Sequence, residues 1–187
     1  MAFSVNEFRS RMTKDGARPS YFSVRMNAPQ WVSPGLADLE FKCKASDLPA
    51  STVGTKTISY FGHDVHFAGQ RTFADWTVTV YNDEDFGLRN AFETWLNGID
   101  QHTQSLRGSN VTNATDPYSY VGGATVAQYG KTGDVVKYYQ FYNMFPTDVS
   151  AITVDWDTKD DIETFQVTFK YDYYHSVVGG TNQQITT

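Results

Sequence analysis

Cysteine is nearly missing from this chain. One thiol in 187 residues excludes an intramolecular disulfide, so a packed core has to hold the fold. Cys43 lies inside the alternating stretch LEFKCKA, which predicts a buried strand thiol. Basic residues are the minority, 15 against 21 acids for a formal charge of −6, and such a field argues against gripping nucleic acid by counterion release. No apolar run approaches the roughly 18 residues of a membrane span, and MAFSVNEF lacks the basic-then-apolar pattern of an export signal. Neither membrane insertion nor export is indicated.

Catalytic and metal-binding patterns are missing as well. There is no G-x-S-x-G elbow for a serine nucleophile. Gly130, Lys131 and Thr132 imitate the end of a phosphate loop, yet Thr125 stands where the loop needs its first glycine, and no strand-loop-helix frame surrounds them. Asp155, Asp157, Asp160 and Asp161 lack the glycine and the final glutamate of a calcium loop and read as a solvated turn. His63 and His66 are an odd spacing apart in an extended segment, which sends their rings to opposite faces. His102 and His175 have no acid or thiol at a ligand spacing. The sequons at Asn110 and Asn113 matter only in a secreted chain. No cofactor, metal or enzymatic activity is expected.

What the chain does contain is strand patterning. In the run AGQRTFADWTVTVYND, Trp76, Val78 and Val80 share one face and Thr77, Thr79 and Tyr81 the other. Further strands are expected at residues 21–27, 39–45, 55–61, 64–67, 118–129, 135–145, 151–156 and 162–174, with Gly62 and His63 as a hairpin turn and GKTGD and FPTDV as turns. Phe165, Val167, Phe169 and Tyr171 alternate with polar residues as in a sheet with one buried face, and are candidates for the core or for contact between subunits.

Two helices are expected. Ser4 and Glu7 form a capping box, with Phe3 and Phe8 as its staple and Val5, Phe8 and Met12 as one apolar stripe that docks on its own subunit or on a neighbour. Asn82 reads as the cap of a second helix, residues 83–99, with acids in its first turn and Leu88, Ala91, Phe92, Trp95 and Ile99 as its buried stripe. Residues 28–35 and 100–117 read as exposed loops, and 175–187 as a flexible tail.

This inventory predicts one mainly β domain over residues 1–174: an antiparallel β-sandwich or small barrel with one packed helix and a short N-terminal helix. Long edge strands rich in Tyr, Val and Thr are poorly guarded against pairing with other chains, and head-to-tail pairing closes a ring when the rotation allows.

Four blocks, ARPSYF at 17–22, FKCKASDLPA at 41–50, residues 68–83 and residues 145–169, occur in the order found in tail tube proteins of contractile-tailed, T4-like bacteriophages. The chain resembles that family over roughly three quarters of its length, far more than one short motif. The resemblance implies a structural virion protein, assembled in the host bacterial cytoplasm, that forms hexameric rings stacked into the inner tube of the tail. It also implies strands joined in an inner barrel, a sheath outside, a tape measure (ruler) protein inside, a baseplate hub and a terminator at the ends, and double-stranded DNA passing without specific binding. Within that frame Leu48, Pro49, Val53 and Thr55, in the connection 47–59, are candidates for ring stacking. Asp155 and Asp157, expected on one face of a strand, are candidates for lumen charge whose repulsion would lubricate the genome. The alternatives are the tube of a secretion system or injection device and, more distantly, a glycan-binding β-sandwich with paired carboxylates.

Proline at position 167 removes a ladder hydrogen bond from the expected central strand, so Val167→Pro should yield insoluble protein. Soluble, assembling protein from this variant, judged by centrifugation and electron microscopy, contradicts the strand assignment.

Overall fold

The computed structural model describes residues 4–12, 16–104, 106–112, 114, 116, 118–157, 159 and 161–179. Its elements are α1 (Val5–Arg11), β1 (Phe22–Asn27), a 3-10 turn (Ser33–Leu36), α2 (Leu39–Lys42), β2 (Cys43–Ser46), β3 (Ser51–Tyr60), β4 (His63–Phe73), β5 (Trp76–Tyr81), α3 (Gly87–Ile99), α4 (Ser109–Thr112), β6 (Gly122–Tyr129), β7 (Val135–Val149), β8 (Thr164–Lys170) and β9 (Tyr173–Val178). All pairings are antiparallel. Strand order in the main sheet is β1-β6-β7-β8-β5-β2, with β9 also on β7, while β3 and β4 pair only with each other. The expected mainly β antiparallel fold is present. The ends of the path, β1 and β2, are not hydrogen-bonded together, so the small-barrel option does not hold for the single chain.

The long strand β7 organises the sheet. Its first half lies between β6 and β9, and its second half pairs with β8. Between the halves Asn143 takes a left-handed φ of 52°, and its amide donates to the Asp172 carboxylate at 2.7 Å where β8 gives way to β9. The two half-sheets share one core. Val24 and Val126 reach it from one side, Trp76, Val78, Phe165, Val167 and Phe169 from the other, and Phe141 belongs to it too. Trp76 stacks on Phe141 at 4.5 Å, and Phe92 of α3 meets Phe169 edge-on at 5.9 Å. Both core tryptophans find acceptors: Trp76 Nε1 donates to the Asp47 carbonyl and Trp95 Nε1 to the Tyr120 carbonyl. That satisfies their only polar atom inside an apolar interior.

Helix α3 buries Leu88, Ala91, Phe92 and Trp95, as its spacing predicts. Its start does not follow the prediction. Asn82 is not a cap: its side chain is buried and donates to Glu163, while Asp83 is taken by Lys42 at 2.5 Å. The helix begins at Gly87, after Phe86 in the left-handed region. The Lys42 hydrogen bond holds the Asp83 carboxyl below the usual carboxylate range, and the same bond raises Lys42.

Other expectations need correction. Residues 39–42 form a helical turn, not a strand, because burial of Leu39 and the Asp38–Lys42 pair one turn apart favour it; the strand starts only at Cys43. Cys43 is half-buried, and desolvation pushes its thiol up to about 11. The hairpin turns at Phe61 and Gly62, both at positive φ, one residue earlier than expected. FPTDV is not a turn but the end of β7, where the register shift between Pro146 and Asp148 accommodates a residue without an N–H. Residues 151–156 form no strand, since β7 leaves the sheet at Ser150, whose hydroxyl accepts from the Gln166 N–H. In the expected loop 100–117, α4 buries Val111. Residues 175–178 belong to β9 and not to a tail; residues 180–187 and the Phe3 staple lie outside the described residues.

Gly98 owes its place to a close approach. A Cβ there would sit 2.2 Å from the Trp31 ring, and Gly108 backs onto the same turn. Alanine improves helix propensity by about 1 kcal/mol, but overpacking against a fixed ring costs about 1–3 kcal/mol. Gly98→Ala should therefore lower stability, seen as a reduced urea midpoint with unchanged slope.

Candidate assembly interfaces

Open backbone is the first feature of the surface. At the start of β1 the Tyr129 N–H donates to the Tyr21 carbonyl, so by alternation Ser23, Arg25 and Asn27 bond to β6 while Phe22, Val24 and Met26 turn their backbone groups to the free side. At the far border the Gly179 N–H donates to the Val136 carbonyl, so Tyr174, Ser176 and Val178 of β9 likewise face away from β7. Each border strand has six residues and no proline. The third border, β2, has four residues with a bulge, the short irregular edge that resists further pairing. The second half of β7 is also paired on one side only, but carries Pro146 and a bulge. Among the described residues, β1 and β9 are the main-sheet borders that are both six residues long and free of proline, and they run antiparallel.

The solvent face of the half-sheet β1-β6-β7-β9 is the second feature. It carries Ser23, Thr125, Ala127, Tyr138 and Gln140 along its centre, with Tyr142, Tyr173 and His175 clustered at one side. Tyr142 and Tyr173 stack at 4.9 Å, and the Ser23 and Tyr129 hydroxyls are bonded at 3.0 Å. None of these four strands' paired segments contains an acid. Its charged group, Arg25, is tied to Glu40 at 3.0 Å. The face is close to neutral although the chain is acidic.

The third feature is the β3–β4 hairpin, which is exposed almost throughout. Its register gives it two different faces. Ile58 opposite Val65, Phe67 opposite Lys56 and Tyr60 opposite His63 make one face apolar. On the other, Thr57 bonds to His66 Nδ1 at 3.0 Å and Ser59 to Asp64. At the tip Tyr60 and Phe61 meet edge-on at 4.5 Å, and Phe61 is 86% exposed. Alternation of this kind marks a sheet with one buried side, yet nothing among the described residues covers it.

The sequence candidates fall in three places. Leu48 and Pro49 precede the hairpin, but Val53 and Thr55 stand in β3 itself, so the expected stacking loop is largely strand. Phe165, Val167, Phe169 and Tyr171 are all buried in the subunit core. Asp155 and Asp157 share no strand face; they lie in an exposed irregular segment where the Asp157 N–H donates to Asp155, beside a Trp156 that is 97% exposed. Sequence reasoning expected a hairpin over residues 55–67 but missed its extension to Ser51 and Phe73 and its two faces, because residues 68–73 give no strand alternation until they are paired with 51–55. Among the described residues no group of three or more His, Cys, Asp or Glu is placed to hold a metal, and no helix is long and apolar enough to cross a membrane.

The model of the phage tail tube protein family matches residues 6–177. This chain belongs to that family. The tail tube protein gp19 of Enterobacteria phage T4 is 35% identical over 161 residues, covering 86% of this chain and 91% of the relative. The fold is shared with chains of two solved assemblies. A chain of the extracellular contractile injection system PVC, solved as its sheath/tube terminator in the extended state, aligns with a TM-score of 0.62 at 15% identity over 87% of this chain and 97% of its own. A chain of the anti-feeding prophage baseplate aligns with a TM-score of 0.60 at 9% identity, over 87% and 96%.

The paired change Ile58→Glu with Phe67→Glu places charge on the apolar ribbon without touching the core. Subunit stability should stay within about 0.5 kcal/mol, while any larger assemblies that sedimentation velocity finds for the unaltered chain should be lost.

Proposed function

We propose that this chain is the repeating subunit of a contractile tail's inner tube, built by edge pairing of hexameric rings that stack through the β3–β4 hairpin. The observation that carries the reading is the complementary pair of borders. Because β1 and β9 bound one antiparallel half-sheet, β9 of one copy set beside β1 of the next continues the alternation of strand directions. Each copy then contributes four strands, and the ring becomes a single sheet without edges. At ~4.8 Å per strand, six such copies give a circumference of roughly 115 Å before tilt, and a bore of roughly 25 Å after inward side chains are subtracted.

In this arrangement the neutral hydroxyl and amide face lines the bore. The low-friction wall expected from acid repulsion is replaced by one that offers a polyanion neither anchors nor strong repulsion. The exposed segment bearing Asp155, Trp156 and Asp157 is left for the outside or for subunit borders. The tube does no chemistry: its work is to stay rigid while a sheath contracts around it. A sheath outside, a ruler protein inside, a hub below and a terminator above complete the proposed setting, in a virion assembled in the host cytoplasm. The solved relatives come from such machines, and their likeness keeps an injection-device tube as the second reading; the 35% identity to a phage tube protein favours the phage.

Purified protein at high concentration should show rings or tubes by negative stain. Ser176→Pro removes an N–H that faces the free side of β9, so the subunit should keep its own ladder and melt near the unaltered protein while failing to form rings. Rings as abundant as before would show that closure does not use this border.

A further inference from the structure

We propose that neighbouring copies in the ring pair out of step by about four residues, so that the chain beyond Gly179 becomes the partner of Phe22 and Val24 in the next copy; this rests on the edge-paired ring of the preceding section. Inside one copy the strands stand in step. Arg25 lies opposite Thr125, Thr125 opposite Gln140 and Gln140 opposite His175, so one straight row crosses β1, β6, β7 and β9 at right angles. If the joint continued that row, His175 would face Arg25 of the next copy and every strand would run parallel to the tube axis. A closed sheet does not have that shape. Its strands tilt by roughly 35–45° to the axis, and the tilt requires a stagger somewhere around the circuit. With the registers inside each copy in step, the joint is the place left for it.

Geometry fixes the size of the stagger. Alternate residues on each border turn their N–H and C=O outward, Phe22, Val24 and Met26 on β1 and Tyr174, Ser176 and Val178 on β9, so the offset is an even number of residues. For four strands at ~4.8 Å spacing and ~3.3 Å per residue, an offset of two tilts the strands by roughly 19°, four by roughly 35° and six by roughly 46°. Two falls short of a barrel's tilt. Six leaves none of the outward residues of β9 opposite β1, whereas four keeps Val178 beside Met26.

Chirality fixes its direction. In a strand of L-residues seen with a side chain toward the viewer and the chain rising, that residue's N–H and C=O point right. Seen from the face that carries Arg25, β1 therefore rises at the left, and β6, β7, β9 and then the next copy follow to the right. Barrel strands climb as right-handed helices because each strand twists right-handedly, so from inside they lean left and a row at right angles to them ascends to the right. The row through His175 thus meets the next β1 beyond Arg25, toward that strand's C-terminal end. Val177 then stands opposite Asn27 and Gly179 opposite Arg25. Phe22 and Val24 of that β1 are left to Asn182 and Gly180, which lie outside the described residues. The segment 179–187 contains no proline and no charged side chain, so its composition does not oppose an added strand.

The test keeps Val177→Cys in a Cys43→Ser background and combines it in turn with Ser23→Cys, Arg25→Cys and Asn27→Cys, under mild oxidation of ring preparations checked by negative stain. Within one chain β1 and β9 are three strand spacings apart, roughly 14 Å, too far for a disulfide. The expected result is a reducible ladder from dimer upward with Asn27→Cys and with neither of the others. A ladder with Ser23→Cys, the in-step pair, or with Arg25→Cys overturns the proposal while leaving edge pairing intact. Rings without a ladder from any of the three overturn it as well, and absence of rings from the unaltered chain removes both readings. Independently, Gly180→Pro with Asn182→Pro takes away the N–H groups assigned to Val24 and Phe22, and should raise the concentration for half-assembly about tenfold with the subunit's melting temperature unchanged. An unchanged concentration also overturns the proposal.

Discussion

Everything in this subunit depends on how the hydrogen bonds of β7 are divided. The strand is fifteen residues long and changes partners midway, serving β6 and β9 with its first half and β8 with its second. A flat sheet of that length would leave one face bare. The left-handed turn at Asn143 and the bulge at Pro146 instead let the halves fold over one another, so that Phe141, Trp76 and Phe169 meet in one core. That fold closes the apolar interior but not the backbone, since β1 and β9 remain unpaired on their outer sides. Subunit stability and readiness to assemble thus come from the same strand.

The surface separates by chemistry. Acids collect on loops and on segments such as 155–157, the solvent face of β1-β6-β7-β9 stays neutral, and apolar residues gather on the hairpin. A monomer gains nothing from this division. An oligomer does, because the neutral face can line an interior, the ribbon can be covered, and the acids keep the exterior soluble.

Where the sequence was legible, a single period dominated. Trp76–Tyr81 alternate buried and open, Leu88 to Trp95 keep helical spacing toward the core, and Ser4 caps α1 as its box predicts. The errors share a cause: a local signal met a stronger distant partner. Asn82 left its capping role for Glu163, and Asp83 followed Lys42. FPTDV looked like a turn because proline lacks an N–H, yet a bulge opposite β8 absorbs that deficit. The segment 151–156 alternates but has no partner strand, and alternation without a ladder is not structure. Candidates for contact fared by the same rule. Phe165, Val167 and Phe169 were as compatible with an interface as with a core until α3 was seen to lie on them. Open edges were expected, but which strands form them, and the paired face of the hairpin, were beyond reach, because both are properties of register.

In the proposed tube, with the neutral sheet face turned to the bore, that face has a consequence for transport. In a stack of identical rings any fixed charge recurs with the symmetry of the array, so a charged cargo would cross a washboard potential whose troughs add along the axis. Hydroxyls, amides and rings that are short-ranged flatten that landscape. The speed of a threading polymer is then set by hydrodynamic drag and not by escape from successive wells.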